Sequence, residues 1–274
     1  MTSTIDISAL ANLLQEAAIA EILPRFRNLG NDDVRIKTEA IDLVTEADEA
    51  AERLIRREIE TLMPDAVFIG EEAVAADPDL LSKLDGAALA VVVDPIDGTF
   101  NFASGLALFG VMLSVVKDGE TVAGLIYDPI GNDWAIAEKG SGAWYCKPDG
   151  SQERMFLRPS RPLSEMIGIA NTGYFELETR RRLLNNLADV RLFTSYRCSA
   201  HEYRLLCQGH VDFAMYAKLM PWDHLAGTLM VEEAGGYAAR FDGSPYKPHH
   251  NEGGLILAAD SDAWNELRQK IFTV

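Results

Sequence analysis

Residues 91–102 read VVVDPIDGTFNF. Three valines run into an aspartate; a proline, a second aspartate, a glycine and a threonine follow. An Asp-Gly hairpin turn accounts for Asp97 and Gly98 but leaves Asp94 unexplained. Asp94 directly follows apolar residues, so it stands at the mouth of a core strand, where a half-desolvated carboxylate requires a partner charge. Two carboxylates this close repel unless something positive sits between them. An EF-hand loop does not fit, because Ile96 and Gly98 take the third and fifth positions, where that loop needs oxygen side chains. Oxygen donors with no His or Cys nearby suit a hard ion such as Mg2+.

Further acids repeat the theme. In IGEEA (69–73), Glu71 and Glu72 follow a short apolar run; alone they read better as a solvated acidic loop. In PWDHLAG (221–227), Asp223 reads as the N-cap of a helix beginning at His224. Thr45 and Asp48 form a T-x-x-D capping box opening a helix. Taken together, Glu71, Asp94, Asp97 and Asp223 are four acids each placed just past an apolar run.

The rest of the chain supplies the frame. Apolar residues at helical spacing predict helices over 8–23, stopped by Pro24, and over 45–62, stopped by Pro64. Strands are expected at 66–70 and 88–93. Residues 106–145 alternate β-rich runs with Asp-Gly, Asp-Pro, Gly-Asn and Gly-Ser turns, an antiparallel meander. The polar segment 147–163 holds three prolines and marks the boundary between two lobes, 1–147 and 148–274. Beyond it lie strands at 166–170 and 191–194, helices at 175–187, 200–208 and 223–234, and a final strand and helix within 254–271. The pattern is α+β, with stacked sheet and helix layers.

With 42 acidic against 25 basic residues among 274, the net charge is −17. That weighs against a nucleic-acid polymer as partner and favours divalent cations wherever carboxylates gather. The longest apolar run, GLALFGVMLSVV, is about a dozen residues, short of the roughly 20 a membrane span needs. The N-terminus MTSTIDISAL lacks the pattern of a signal peptide. Cys146, Cys198 and Cys207 form neither a CxxC nor an even set, which points to a reducing cytoplasm, and Cys198 and Cys207 read as small buried apolar residues on a helix.

These motifs, in this order, resemble the inositol monophosphatase family of magnesium-dependent, lithium-sensitive phosphatases. The resemblance rests on IGEEA at 69–73, DPIDGTFNF at 94–102, WDHLAG at 222–227 and DLVTEAD at 42–48, and spans nearly the whole chain. It implies a two-lobed αβαβα sandwich and hydrolysis of a small phosphorylated metabolite by metal-activated water, in line at phosphorus. It also implies ligand roles. Glu71, Asp94 and the carbonyl of Ile96 hold the first Mg2+. Asp94, Asp97 and Asp223 hold the second, and a third, looser ion lies on Glu71 through water. Thr99 and Asp48 orient or deprotonate the attacking water, while Gly98 and Thr99 amides cradle the phosphate. Four carboxylates and two Mg2+ then cancel in charge. A homodimer is a further implication, since the family is typically dimeric.

The chain departs from the family around the substrate. RCSAH (197–201) replaces the usual Gly-Ser/Thr-Ala-Ala, placing Ser199 at the substrate-binding position. Tyr216 stands where inositol phosphatases carry a glutamate for substrate hydroxyls; a phenol stacks or donates instead. One expectation is that Arg197, His201 or Lys218 meets a second anionic group on the substrate; the bland alternative is that they are surface charges. Bisphosphate nucleotidase, sugar-bisphosphatase and histidinol-phosphatase activities are the alternatives within the class. A non-catalytic regulatory binding protein and a metal-stabilised structural domain are the alternatives outside it.

Overall fold

The computed structural model describes residues 5–30, 33–37 and 42–273. The expectation about a signal peptide rests partly on residues 1–4, outside the described residues. The first helix, α1 (Ile7–Ala17), is capped by Asp6, which accepts from the Ala9 amide at 3.0 Å. It does not run on as α-helix to 23. Residues Ala18–Ile22 form a π-helical turn, closed by Leu23 N donating to Ala18 O. Pro24 has no amide with which to continue a regular ladder. A short antiparallel pair follows, β1 (Val34–Ile36) with β2 (Leu43–Thr45), which periodicity alone does not reveal. Helix α2 (Glu46–Leu62) begins where its capping box places it, with Thr45 as N-cap and Asp48 closing back onto the Thr45 amide.

Then come β3 (Val67–Gly70), α3 (Glu71–Ala76), β4 (Leu89–Asp97) and α4 (Thr99–Ala103). The meander is β5 (Gly110–Lys117), β6 (Glu120–Asp128), β7 (Asp133–Glu138) and β8 (Gly142–Cys146), extended by β9 (Gln152–Arg154). These strands form one seven-stranded sheet in sequence order; β3 is parallel to β4 and every other pairing is antiparallel. After the proline-bearing segment come β10 (Ile167–Ala170), α5 (Leu177–Asn186), β11 (Leu192–Thr194), α6 (Ser199–Cys207), β12 (Phe213–Tyr216), α7 (Pro221–Glu233), β13 (Tyr237–Arg240), β14 (Leu255–Ala258) and α8 (Ser261–Lys270). Their five strands form a second, mixed sheet in the order β11-β10-β12-β14-β13. Strands β12 and β13 carry no clear alternation and were not expected.

Side-chain alternation turns these elements into layers. Val91, Val93 and Leu113 face α1 and α2 in one core with Leu10, Leu14 and Ile55. Met112 and Ile126, on the opposite face, meet Ala200, Tyr203, Ala226 and Met230 of α6 and α7. Those helices also cover Ala214, Leu255 and Leu257 of the second sheet. The far face of that sheet, with Phe213, Met215 and Ile256, packs on Leu183 of α5 and Trp264 and Leu267 of α8. The result is helix, sheet, helix, sheet, helix. Each fully buried Leu, Ile or Val contributes about 1.5–3 kcal/mol to holding the layers together. The middle helix layer is buried on both sides, so the N-termini of α6 and α7 are delivered to the end of β4.

Candidate active site

Side chains three positions apart on a regular strand point to opposite faces. In β4 they do not, because the register with β5 slips between Asp94, opposite Met112, and Asp97, opposite Gly110. This bulge, at a proline that has no ladder donor to lose, turns both aspartates to one side. Asp94 and Asp97 are 2% and 8% exposed. Gly98 then takes a φ of 90°, open to glycine at little cost. A Cβ there would lie 3.0 Å from the Leu108 carbonyl oxygen and 3.1 Å from Cys198 Cβ. The chain turns directly into α4, so the hairpin reading of Asp97-Gly98 is overturned.

Asp223 arrives from the middle layer. It is not an N-cap: α7 starts at Pro221 behind Met220, which leaves Asp223 in the first helical turn, where the helix dipole favours a carboxylate. Carboxylate oxygens of Asp94, Asp97 and Asp223 lie within 4.8 Å of one another. Asp94 and Asp223 are held well above the usual carboxylate range by burial first, then by repulsion from neighbouring acids including Glu71. Asp97 is raised too, by burial, against hydrogen bonds that pull the other way. Its Oδ2 accepts from the Ala200 amide at 2.6 Å and from Cys198 Sγ at 3.1 Å, tying β4 to the start of α6. Cys198 is therefore not on the helix but at its N-cap, and it is buried. Three carboxylates, two buried and the third half-buried, that converge without enough positive charge among them, offering oxygen only, fit a hard divalent cation.

Beside them lies a second hydrogen-bonded unit. Thr99 Oγ1 is 3.0 Å from Asp48 Oδ1 and 2.9 Å from the Ile96 carbonyl oxygen. Asp48 Oδ2 accepts from the Thr45 amide at 2.8 Å and the Thr45 hydroxyl at 2.5 Å. Burial pushes Asp48 up to about 7, against the lowering effect of the Thr45 bonds. The capping box and the contact with Thr99 thus use the two oxygens of one residue, Asp48.

Glu71 opens α3 and lines the same cavity, but it stands outside the tight trio. It is part of a helix start, not of a solvated loop. Its Oε1 accepts from Lys37 Nζ at 2.8 Å, and Glu72 Oε1 accepts from the same ammonium at 2.7 Å. Lys37 was not foreseen, and its position in a loop carries no sequence signal. Glu52 was also missed: it accepts from the Glu72 and Ala73 amides, both at 2.8 Å, and so anchors the turn bearing Glu71. A signal for it existed, since an acid among Ala50, Ala51 and Ile55 on the buried face of α2 is anomalous.

The opposite wall of the cavity, about 510 Å3 in volume, comes from the second sheet. Ser199 and Tyr216 both line it. Tyr216 stacks on Tyr203, with ring centroids 5.4 Å apart, and lies 4.6 Å from His224. Its hydroxyl makes no hydrogen bond of good geometry, and the nearby Glu202 carboxylate raises it further after burial. Glu202 itself is buried, accepts from the Tyr196 amide at 2.7 Å and is pushed up to about 7 by burial. His224 donates from Nε2 to the Lys218 carbonyl at 2.8 Å and accepts at Nδ1 from the Tyr203 hydroxyl at 3.1 Å. Burial holds it down at about 4, so it is neutral. Arg197 and Lys218 line the cavity, joined by the unforeseen Arg180. His201 does not: its Nε2 meets the Phe109 carbonyl at 3.1 Å and lies 4.0 Å from Asp128. That removes it from the expected anion contacts.

A five-layered sandwich with a buried carboxylate cluster at the junction of its sheets and an open cavity in front defines a phosphoric monoester hydrolase of the metal-dependent kind. The chain belongs to the inositol monophosphatase family, whose profile it matches over residues 6–272. It is 34% identical over 219 residues to a fructose-1,6-bisphosphatase/inositol-1-monophosphatase of Thermotoga maritima, covering 77% of each chain. To an inositol-1-monophosphatase of Rhizobium meliloti it is 29% identical over 275 residues, covering 96% of each. Among solved structures, the extragenic suppressor protein suhB of Bartonella henselae superposes with a TM-score of 0.82 at 26% identity, covering 97% of both chains. Among the described residues, no helix is long and apolar enough to cross a membrane.

Proposed function

We propose that this phosphatase hydrolyses its small phosphorylated substrate with two to three Mg2+ per site, held by Glu71, Asp94, the Ile96 carbonyl, Asp97 and Asp223. The convergence of Asp94, Asp97 and Asp223 within 4.8 Å carries this reading. Bound there, the ions supply charge neutralisation at phosphorus and a water more acidic than bulk. The protein's own part is positioning and proton handling. Thr99 Oγ1 orients the attacking water and passes its proton to Asp48 Oδ1, 3.0 Å away. Burial places Asp48 in a range suited to accept a proton near neutrality. Backbone amides of Gly98 and Thr99 face the phosphate, and Ser199 and Tyr216 bound the remainder of the substrate. Glu71 serves the ions when its contact with Lys37 opens.

Phosphate release from a generic monoester tests the reading. Activity is expected with Mg2+, loss with EDTA, and inhibition by Li+. A protein that binds Mg2+ but releases no phosphate from any of a panel of inositol, sugar, nucleotide and histidinol phosphates would instead be the non-catalytic regulator. The intact Thr99–Asp48 pair weighs against that outcome. A homodimer, checked by analytical ultracentrifugation, follows from the family's habit. Three free buried cysteines suit a reducing cytoplasm. The break between the sheets supports lobes of 1–147 and 148–274, with limited proteolysis expected to cut within 147–163.

A further inference from the structure

Beyond the identity of the reaction, and resting on the phosphatase reading above, the wall of the cavity carries information about the substrate. Arg180 on α5, Arg197 in the turn before α6 and Lys218 after β12 come from three separate segments and line one cavity. None of the three has an ion-pair partner among the described residues, although the chain carries 42 acids against 25 bases. Lys37, the cation beside the carboxylate floor, is doubly paired. Unpaired basic side chains gathered on one face of a cavity in so acidic a chain call for an external anion.

Arg197 is the sharpest case. It is one of few non-glycine residues with left-handed backbone, at a φ of 57°, a conformation that costs energy and persists where the fold demands it. Its guanidinium carbon lies 3.5 Å from the centroid of the Phe100 ring, next in sequence to Thr99. A guanidinium stacked on a ring keeps its edge donors free, in the fork geometry that matches phosphate or carboxylate oxygens. Lys218 is fixed by the His224 bond to its carbonyl, and its charge reaches Asp223. On the same wall Tyr216 is stacked in place, and Glu202 is already occupied by the Tyr196 amide.

We infer that Arg180, Arg197 and Lys218 form a specificity subsite for a second anionic group, phosphate or carboxylate, on the same substrate molecule as the ester that is cleaved. The metal-binding floor takes the scissile phosphate, and the basic wall takes the distal anion across the cavity. The preferred substrate is therefore a bisphosphate or phospho-carboxylate of sugar or nucleotide size, and a neutral polyol monophosphate is a poorer one.

The experiment compares kcat/KM with Mg2+ in three arms: bisphosphates (fructose-1,6-bisphosphate, adenosine 3′,5′-bisphosphate), phospho-carboxylates (3-phosphoglycerate) and neutral-bodied monoesters (inositol-1-phosphate, glycerol-2-phosphate). A dianionic arm is expected to exceed the neutral arm in the native protein, and whichever leads identifies the distal group. Arg180→Ala, Lys218→Ala and Arg197→Gly are then measured. Glycine suits the backbone at 197, so that variant folds even without the side chain. The ratio of dianionic to neutral kcat/KM is expected to fall about tenfold or more in the Arg197 variant and by less in the other two. An unchanged ratio, with both arms falling together, would show general steering and overturn the subsite. A native protein equally fast on all arms would overturn it too, while leaving the phosphatase reading standing. No hydrolysis of any arm would overturn both.

Discussion

The two sides of the cavity are built in opposite ways. The floor is buried and tied down: Asp94 is 2% exposed, Asp97 is bonded into α6, and Asp48 is locked by its own helix cap. The wall is exposed at its tips, with Arg180, Arg197 and Lys218 reaching out from rigid Tyr216 and His224 beneath. Chemistry common to all phosphate monoesters needs fixed charges at fixed distances. Recognition of the rest of a substrate tolerates variation, because it adds binding without having to place reacting atoms. One cavity thus combines a conservative half with an adaptable one.

The largest test of that contrast is Asp97→Asn on the floor. Activity is expected to fall about a thousandfold or more, with the far-UV circular dichroism spectrum retained. An active variant would remove Asp97 from the ligand set. Next comes metal removal. Raised carboxylates bind more protons in the folded than in the unfolded state, so the metal-free protein loses stability as pH rises. Mg2+ competes with those protons. Saturating Mg2+ is therefore expected to raise Tm, by about 5–10 °C at pH 8 and by clearly less at pH 5.5; an equal shift at both pH values would break the link between cluster and ion. Smaller still, Gly98→Ala forces a side chain into left-handed backbone against Leu108 and Cys198, and Tm should drop by about 3–10 °C.

The smallest effect belongs to the wall. Glu202 rises from 4.5 to about 7 on folding, so its contribution is intact below pH 4.5 and is lost as pH climbs through 7. Glu202→Gln keeps an acceptor for the Tyr196 amide without the ionisable proton. The variant should match the native Tm near pH 4.5 and exceed it by about 2–4 °C at pH 8. A constant offset across pH would mean that packing, and not charge, distinguishes them.

Much of the floor was legible in one dimension. The run from Val91 to Phe102 announces a strand ending in paired carboxylates, and the T-x-x-D box marks both a helix start and Asp48. Asp223 stood out in the sequence as a candidate ligand but with the wrong local role, since proline at the first helical position moved the helix start upstream. His201 stood beside Arg197 and Lys218 as one of three candidate anion contacts because a basic residue beside a motif is ambiguous until the helix phase is known. Its ring turns to Phe109 instead.

By itself the sequence determined which acids are candidates to gather at one strand end, because strands, caps and turns obey short-range rules of period and backbone geometry. Tertiary structure alone decided which cations are free and which are paired. Lys37 reaches Glu71 across 34 positions, and Arg180, Arg197 and Lys218 meet only because two sheets and a shared helix layer close around one cavity. Long-range charge pairing depends on through-space distance, which no local pattern encodes.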